Sequence, residues 1–270
     1  EERNYVQILT LTDRLDYTAS MTNNQAYCLA VEKLMGIAVP ERGLYLRVLS
    51  AELQRMASHL IAIGFFLQDL GALGTPLMYC FKFREKILDL FEMLCGARIT
   101  VSYMRPGGVF ADTPAEFWPA LRSLIDEAPS LINDLEKLLT SNEIILVRTR
   151  NVAILPLSTA ISHSVSGPTL RASGIPWDWR KTDPYDIYDR MDFDVPVGET
   201  GDNYDRFKLR IEEVKQSLRI VTQCMNEIPK GPIRTPLPFI LRPPPGAEAY
   251  GRVESPSIIV PYGSCNSIRI

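Results

Sequence analysis

Six apolar residues, Leu49, Leu53, Met56, Leu60, Ile63 and Leu67, step along the chain by three or four and form one continuous apolar stripe. A stripe of that length predicts one long helix, from Leu44 to about Leu67, with a face in a core. Neighbouring segments repeat the pattern. Apolar residues recur at helical spacing between Asn24 and Met35 and from Met78 to Leu94, where Cys95-Gly96 supplies a glycine stop. The joint at Gly71, Gly74 and Pro76 is short, so adjacent helices are expected to pack antiparallel. The fold class expected is mainly α with a few short strands (α+β), built on a helical-bundle core.

The remainder is read in the same way. Tyr103-Met104-Arg105-Pro106-Gly107-Gly108-Val109 breaks the helical ladder and is predicted as a loop between helices, either a tight interhelical turn or a place where the backbone approaches a neighbouring subunit closely. Asp112-Thr113-Pro114 then starts a helix through about Leu139. Between Asn142 and Val197 the periodicity fades into short pieces, with strands among the candidates. Asn203 to Ile228 restores a helix with Phe207, Ile211, Val214, Leu218, Val221 and Met225 on its core face, and Arg206, Arg210, Glu213 and Lys215 read as solvated. Nine of the twenty prolines fall in the last 42 residues, so residues 1–232 are taken as the core and 233–270 as a proline-rich tail.

Composition excludes several classes. A formal net charge of −3 without a Lys/Arg run leaves no electrostatic footprint for nucleic acid. The longest apolar run, Leu60 to Leu67, stops at Gln68-Asp69, far short of the roughly 20 residues a membrane crossing needs. The opening EERNYVQ lacks the basic start and apolar core of a targeting segment, although a cleaved one could precede it. Five widely spaced cysteines, Cys28, Cys80, Cys95, Cys224 and Cys265, form no C-x-x-C pair and read as reduced, mostly buried thiols. With only His59 and His163 as histidines, no metal is expected to be held by this chain alone.

The densest chemistry lies in Thr12-Asp13-Arg14-Leu15-Asp16-Tyr17. Two readings are open. Asp13 or Asp16 can cap a helix while Tyr17 packs in the core, or the phenol can hydrogen-bond and protonate a ligand carbonyl. A second polar group lies on the long helix, where Glu52, Arg55, His59 and Asp69 share a sector of roughly 100° beside the apolar stripe. That face is either an ion-pair network, with Asp69 merely ending the helix and Arg55 pairing Glu52, or a proton path. His59 alone is first read as a satisfied core histidine.

Eight segments in order, TDRLDY (12–17), NNQAYCLAVEKL (23–34), RVLSAELQRMASHL (47–60), LQDLGALGTP (67–76), FREKILDLFEMLCGAR (83–98), YMRPGGV (103–109), SGPTLRASGIPWDWRKTDPYDIYDRMDFDVPVGETGDNYDR (166–206) and RIEEVKQSLRIVTQCMNEIPKGP (210–232), resemble the D-type, or 49-kDa-type, family of respiratory complex I subunits. This family supplies the quinone site of proton-pumping NADH:quinone oxidoreductase and is itself related to nickel–iron hydrogenase large subunits. The resemblance implies that Tyr17 hydrogen-bonds a quinone of the ubiquinone type as substrate, with Asp69 and His59 as proton relays. It also implies that Arg14 and Arg105 lie near a 4Fe-4S cluster held by the neighbouring small subunit, where a fixed cation raises its potential. The implied partners are that small iron–sulfur subunit (B type), subunits of the C and I types and the membrane-arm subunit of the H type. Association with the membrane would run through the complex, and no activity is expected of the chain alone. The wording of QSLRIVTQCMNEIP resembles mitochondrial and related bacterial members, which implies the matrix side of the mitochondrial inner membrane, with the cytoplasmic face of a bacterial inner membrane as the alternative.

The sequence departs from that family in three places. The family's amino-terminal hairpin, whose histidine faces the tyrosine across the quinone, has no counterpart before DRLDY, so a separate polypeptide is one candidate source. A family histidine after GAR is replaced by Ile99-Thr100, which implies a weaker pH dependence of the cluster potential. The segment after PPPGAEAYGRVESP has no clear family counterpart. The hydrogenase reading fails because it needs two C-x-x-C pairs. The remaining alternative is a structural, assembly-type subunit with an incomplete quinone cavity.

Overall fold

The computed structural model describes residues 3–72, 74–140, 142–238 and 240–256 with their side chains, and the backbone of 265–269. In chain order the described elements are α1 (Leu9–Thr12), α2 (Ser20–Met35), α3 (Glu41–Asp69), α4 (Thr75–Cys95), β1 (Met104–Arg105), β2 (Gly108–Val109), α5 (Phe117–Thr140), α6 (Glu143–Thr149), α7 (Leu157–Ser162), α8 (Gly167–Ala172) and α9 (Trp179–Thr182). A 3-10 turn (Tyr188–Arg190), α10 (Asn203–Glu227), β3 (Tyr250–Glu254) and β4 (Cys265–Arg269) complete them. Among the described residues the fold is mainly helical, as the periodicity predicts, with four short strands in two antiparallel pairs that lie in the Arg-Pro-Gly-Gly loop and the tail, outside the stretch where strands were candidates. Cys28, Cys80 and Cys224 are free, buried thiols and Cys95 a partly buried one, while the side chain of Cys265 lies outside the described residues.

Helix α3 is the axis. It packs against α4 and α10, with α5 laid on α4, and α2 beside it carries β3 on its other side. The stripe residues Leu49, Leu53, Met56, Leu60, Ile63 and Leu67 are all buried, but so is every residue from Tyr45 to Leu60. A helix buried on all sides must satisfy its polar side chains inside the protein. That requirement shapes everything around Arg47, Glu52, Arg55 and His59.

Helix ends follow local chemistry. Gly36 and Gly96 close α2 and α4 in the left-handed conformation that glycine adopts without penalty. The helix expected from Asp112 begins instead at Phe117, because the Asp112 carboxylate is taken by Arg42 (2.7 Å) and by the Thr113 amide (2.8 Å). The stretch after Asn142 forms short helices rather than strands.

The Arg-Pro-Gly-Gly loop closes on this chain itself. Thr235 N donates to the Gly107 carbonyl (2.9 Å) and Val109 N to that of Ile233 (3.3 Å). A side chain at Gly108, whose φ is +150°, would collide with the Ile233 carbonyl. From the other side, Arg47 donates to the carbonyls of Gly108 (3.1 Å) and Arg105 (2.7 Å), and Glu32 accepts from Gly107 N (2.7 Å). Within the tail, β3 lies against α2 so closely that a Cβ on Gly251 would meet the Ala26 carbonyl and sit 2.7 Å from Ala30 N. Its Val253 and Glu254 are buried.

Candidate functional site

The polar residues of α3 end in a closed lattice of charge. Glu52, fully buried, receives Arg55 Nε (3.2 Å), Arg180 Nη1 (3.1 Å), the Tyr188 hydroxyl (2.6 Å) and the Ser217 hydroxyl (2.7 Å). Burial alone would raise its carboxyl, but Arg55 and Arg180 outweigh that and hold it at about 2. Arg180 also grips Asp178 (2.6 Å), whose acidity is pulled to about 2 against burial by that guanidinium and by Arg171. Arg171 in turn donates to Glu213 (2.8 Å) and Glu254 (2.8 Å), and Arg55 donates to the Glu254 carbonyl (2.6 Å). Burial leaves Glu254 raised, with Arg171 opposing.

His59 joins this lattice from α3. Its Nε2 lies 2.6 Å from Glu213 Oε2, and its Nδ1 is buried without a partner among the described residues. Burial pushes the imidazole down to about 4 despite the pull of Glu213, while Arg171 and His59 hold Glu213 below the usual carboxylate range against burial. The resting pair is therefore a neutral imidazole donating Nε2–H to a carboxylate, an assignment that follows from which partner carries the charge.

The turn carrying Tyr17 is fixed to the same helix. Asp16 Oδ1 accepts from the Thr18 amide (3.0 Å) and hydroxyl (2.7 Å), and Asn23 Nδ2 reaches the Asp16 carbonyl (3.3 Å). From α3, Gln54 donates to the Thr18 carbonyl (2.8 Å) and Ser58 to the Thr18 hydroxyl (3.3 Å). The backbone is thus pinned, while the Tyr17 ring is 66% exposed and its hydroxyl has no partner among the described residues. Asp16 thus closes a turn rather than capping a helix, since α2 starts from Ala19 without a side-chain cap, and Tyr17 does not pack in the core.

The other candidates are spread along the surface. Asp69 is the exposed last residue of α3, without a described partner. Arg14 is exposed and pairs with the buried Asp13 (3.0 Å), whose carboxyl is lifted by burial and lowered again by Arg14. Arg105 is half-buried. It donates to the Ser102 carbonyl (3.0 Å), lies 5.2 Å above the Phe110 ring, and has its guanidinium lowered by burial. Thus Glu52, Arg55 and His59 converge in the interior, whereas Tyr17, Asp69 and Arg14 face outward.

Sequence reasoning missed Arg171, Asp178, Arg180, Glu213, Tyr188 and Glu254. It also read Arg210 and Glu213 as solvated, whereas both are buried. The signal for Glu213 was its spacing to Ser217, one turn on, along the edge of the α10 apolar stripe. The others lie in short helices and a tail strand with no period to read. Among the described residues, no group of three or more His, Cys, Asp or Glu is placed to hold a metal. No described helix is long and apolar enough to cross a membrane.

Known proteins match this chain over nearly all its length. Residues 69–258 match the family described as "Respiratory-chain NADH dehydrogenase, 49 Kd subunit". The D-type subunit of NADH-quinone oxidoreductase from Dehalococcoides mccartyi is 53% identical over 256 residues, covering 95% of this chain and 70% of that protein. One such subunit from a Roseiflexus species is 53% identical over 264 residues (95% and 70%). That of Clostridium beijerinckii is 44% identical over 262 residues (97% and 70%).

Proposed function

Because the chain belongs to the family of the 49 kDa subunit of respiratory-chain NADH dehydrogenase, and so serves as a core subunit of an oxidoreductase complex, we propose that Tyr17 forms one wall of its quinone-reduction site. The observation that carries this reading is the pinned Tyr17 turn. A phenol held outward on a pinned turn, its hydroxyl free of partners among the described residues, is preorganised to donate to an oxygen on something outside the chain. Asp69 is the accessible relay candidate, an exposed carboxylate at the end of the helix that anchors the turn. His59 is the inner one, with Nε2–H committed to Glu213 and an open lone pair at Nδ1.

The 4Fe-4S cluster belongs, in this reading, to the neighbouring small subunit. The cysteines here suit that division. Burial pushes Cys80 up to about 12 and Cys28 and Cys224 higher still, so they remain protonated thiols and poor ligands. Arg14 is accessible to such a neighbour, and Arg105 is fixed by the Ser102 carbonyl; both would add positive charge beside the cluster. The partners follow as the B, C, I and H types of subunit, on the cytoplasmic face of a bacterial membrane. Bacterial relatives favour that placement over the mitochondrial one.

Tyr17→Phe in the assembled complex tests the proposal. Assembly is expected to be unchanged, since the hydroxyl bonds to none of the described residues, while quinone reduction falls about tenfold or more. Wild-type turnover in that variant would favour a purely architectural subunit.

A further inference from the structure

We propose that the cleft between the later turns of α3 and the first turns of α10 binds a phosphate group, with Arg210 and Arg206 as its cationic wall. The cleft encloses about 210 Å³, and its lining combines the apolar Ile63, Phe66 and Phe207 with the polar Thr169, Arg206 and Arg210.

Arg210 is the anomaly that calls for an anion. It is only 8% exposed, yet among the described residues no carboxylate lies within ion-pair distance of it. Its Nη1 donates to the Arg206 carbonyl (2.7 Å), and its Nε is buried with no partner among the described residues. Glu213 is the anion whose field supports it, but both Glu213 oxygens are engaged, one by His59 (2.6 Å) and one by Arg171 (2.8 Å). Arg171 and Arg206 oppose its charge, and burial with them brings the guanidinium down to about 10. A buried cation left in that state is costly unless a counter-ion completes it.

Arg206 supplies the second donor. Its Nη groups are held by Asn203 Oδ1 (2.8 Å), the Ala153 carbonyl (2.7 Å) and the Gly201 carbonyl (2.9 Å), which fixes the guanidinium and leaves its buried Nε without a partner among the described residues. Two guanidiniums on one cavity match the charge and several acceptor oxygens of a phosphate better than the single charge of a carboxylate. The apolar wall suits the ester side of a phosphodiester, so a free phosphate and a lipid headgroup share the required chemistry. The site is independent of the quinone reading.

The test uses the detergent-purified complex. Equilibrium dialysis with radiolabelled inorganic phosphate measures one source, and retention of phosphatidylglycerol against phosphatidylcholine after incubation with vesicles of each measures the other. Phosphate or phosphatidylglycerol is expected to bind, with affinity about tenfold lower in Arg210→Gln and in Arg206→Gln, and largely kept in Arg210→Lys and in the control Arg219→Gln on the exposed face of α10. The Arg206 and Arg210→Lys variants decide the matter if Arg210→Gln does not assemble. Binding of both probes that ignores these substitutions, binding of neither, or equal displacement by acetate overturns the proposal.

Discussion

His59 Nε2 and Glu213 Oε2 stand 2.6 Å apart, two fully buried side chains separated by 154 residues of sequence. The carboxylate keeps its charge because Arg171 holds its other oxygen, and the imidazole stays neutral because burial outweighs the attraction of Glu213.

This pair sets a pH dependence of stability. The His59 value falls from the ordinary 6.5 to about 4 on folding, so the unfolded chain binds the proton more readily. Stability is therefore complete above about pH 6.5 and declines as pH falls toward about 4, by on the order of 3 kcal/mol. Urea unfolding midpoints between pH 8 and 3 measure it. His59→Gln is expected to flatten that window, leaving the separate loss below about pH 4.5 that belongs to Glu52 and its depressed carboxyl.

Glu52→Gln keeps the shape but removes the charge that faces Arg55 and Arg180. Leaving two buried guanidiniums short of a counter-charge is expected to cost roughly 3–5 kcal/mol. A denaturation midpoint within experimental error of wild type would show the lattice to be energetically idle.

Gly108→Ala and Gly36→Ala separate backbone strain from collision. Both glycines have positive φ, but a Cβ at Gly36 meets nothing within 4 Å, whereas one at Gly108 meets the Ile233 carbonyl and the Arg234 backbone. The expected costs are about 1 kcal/mol at Gly36 and about 3 kcal/mol or more at Gly108. Thermal unfolding should rank the two variants in that order, at about 2–4 °C per kcal/mol for a chain of this size.

Asp69→Asn moves stability and activity in opposite directions. Removing an exposed negative charge from the carboxyl end of α3 is expected to stabilise the helix by about 0.3–1 kcal/mol. If Asp69 relays protons, quinone reduction drops by about 10²-fold. A variant both more stable and fully active removes Asp69 from the pathway.

The helices were legible because their apolar residues keep a period, and α2, α3, α4 and α10 lie within a few residues of the expected bounds. The sequence pattern could not show that α3 is buried all round from Tyr45 to Leu60, since Glu52, Arg55 and His59 read as a polar edge until Arg171, Asp178 and Arg180 arrive from non-periodic segments. The Arg-Pro-Gly-Gly loop was legible as a tight turn or as an approach to a neighbouring subunit, but not as a contact with this chain's own tail at Ile233 to Thr235, which carries no signal of its own. Tyr17 owes its candidacy to the motif around it; its exposure follows from hydrogen bonds made by its neighbours, which spacing cannot foretell.

The link from Arg55 Nη2 to the carbonyl of Glu254 spans 199 residues, and Arg171 depends on the side chain of that same glutamate. Neither guanidinium can shed its water at reasonable cost until strand β3 has arrived. On a ribosome the helices α2 to α10 emerge before that strand, with a hydrated seam where the lattice will form, and the bundle stays ajar until residue 254 is out. The late strand thus acts as a latch on maturation, and a chain arrested before residue 254 would present that open seam to chaperones.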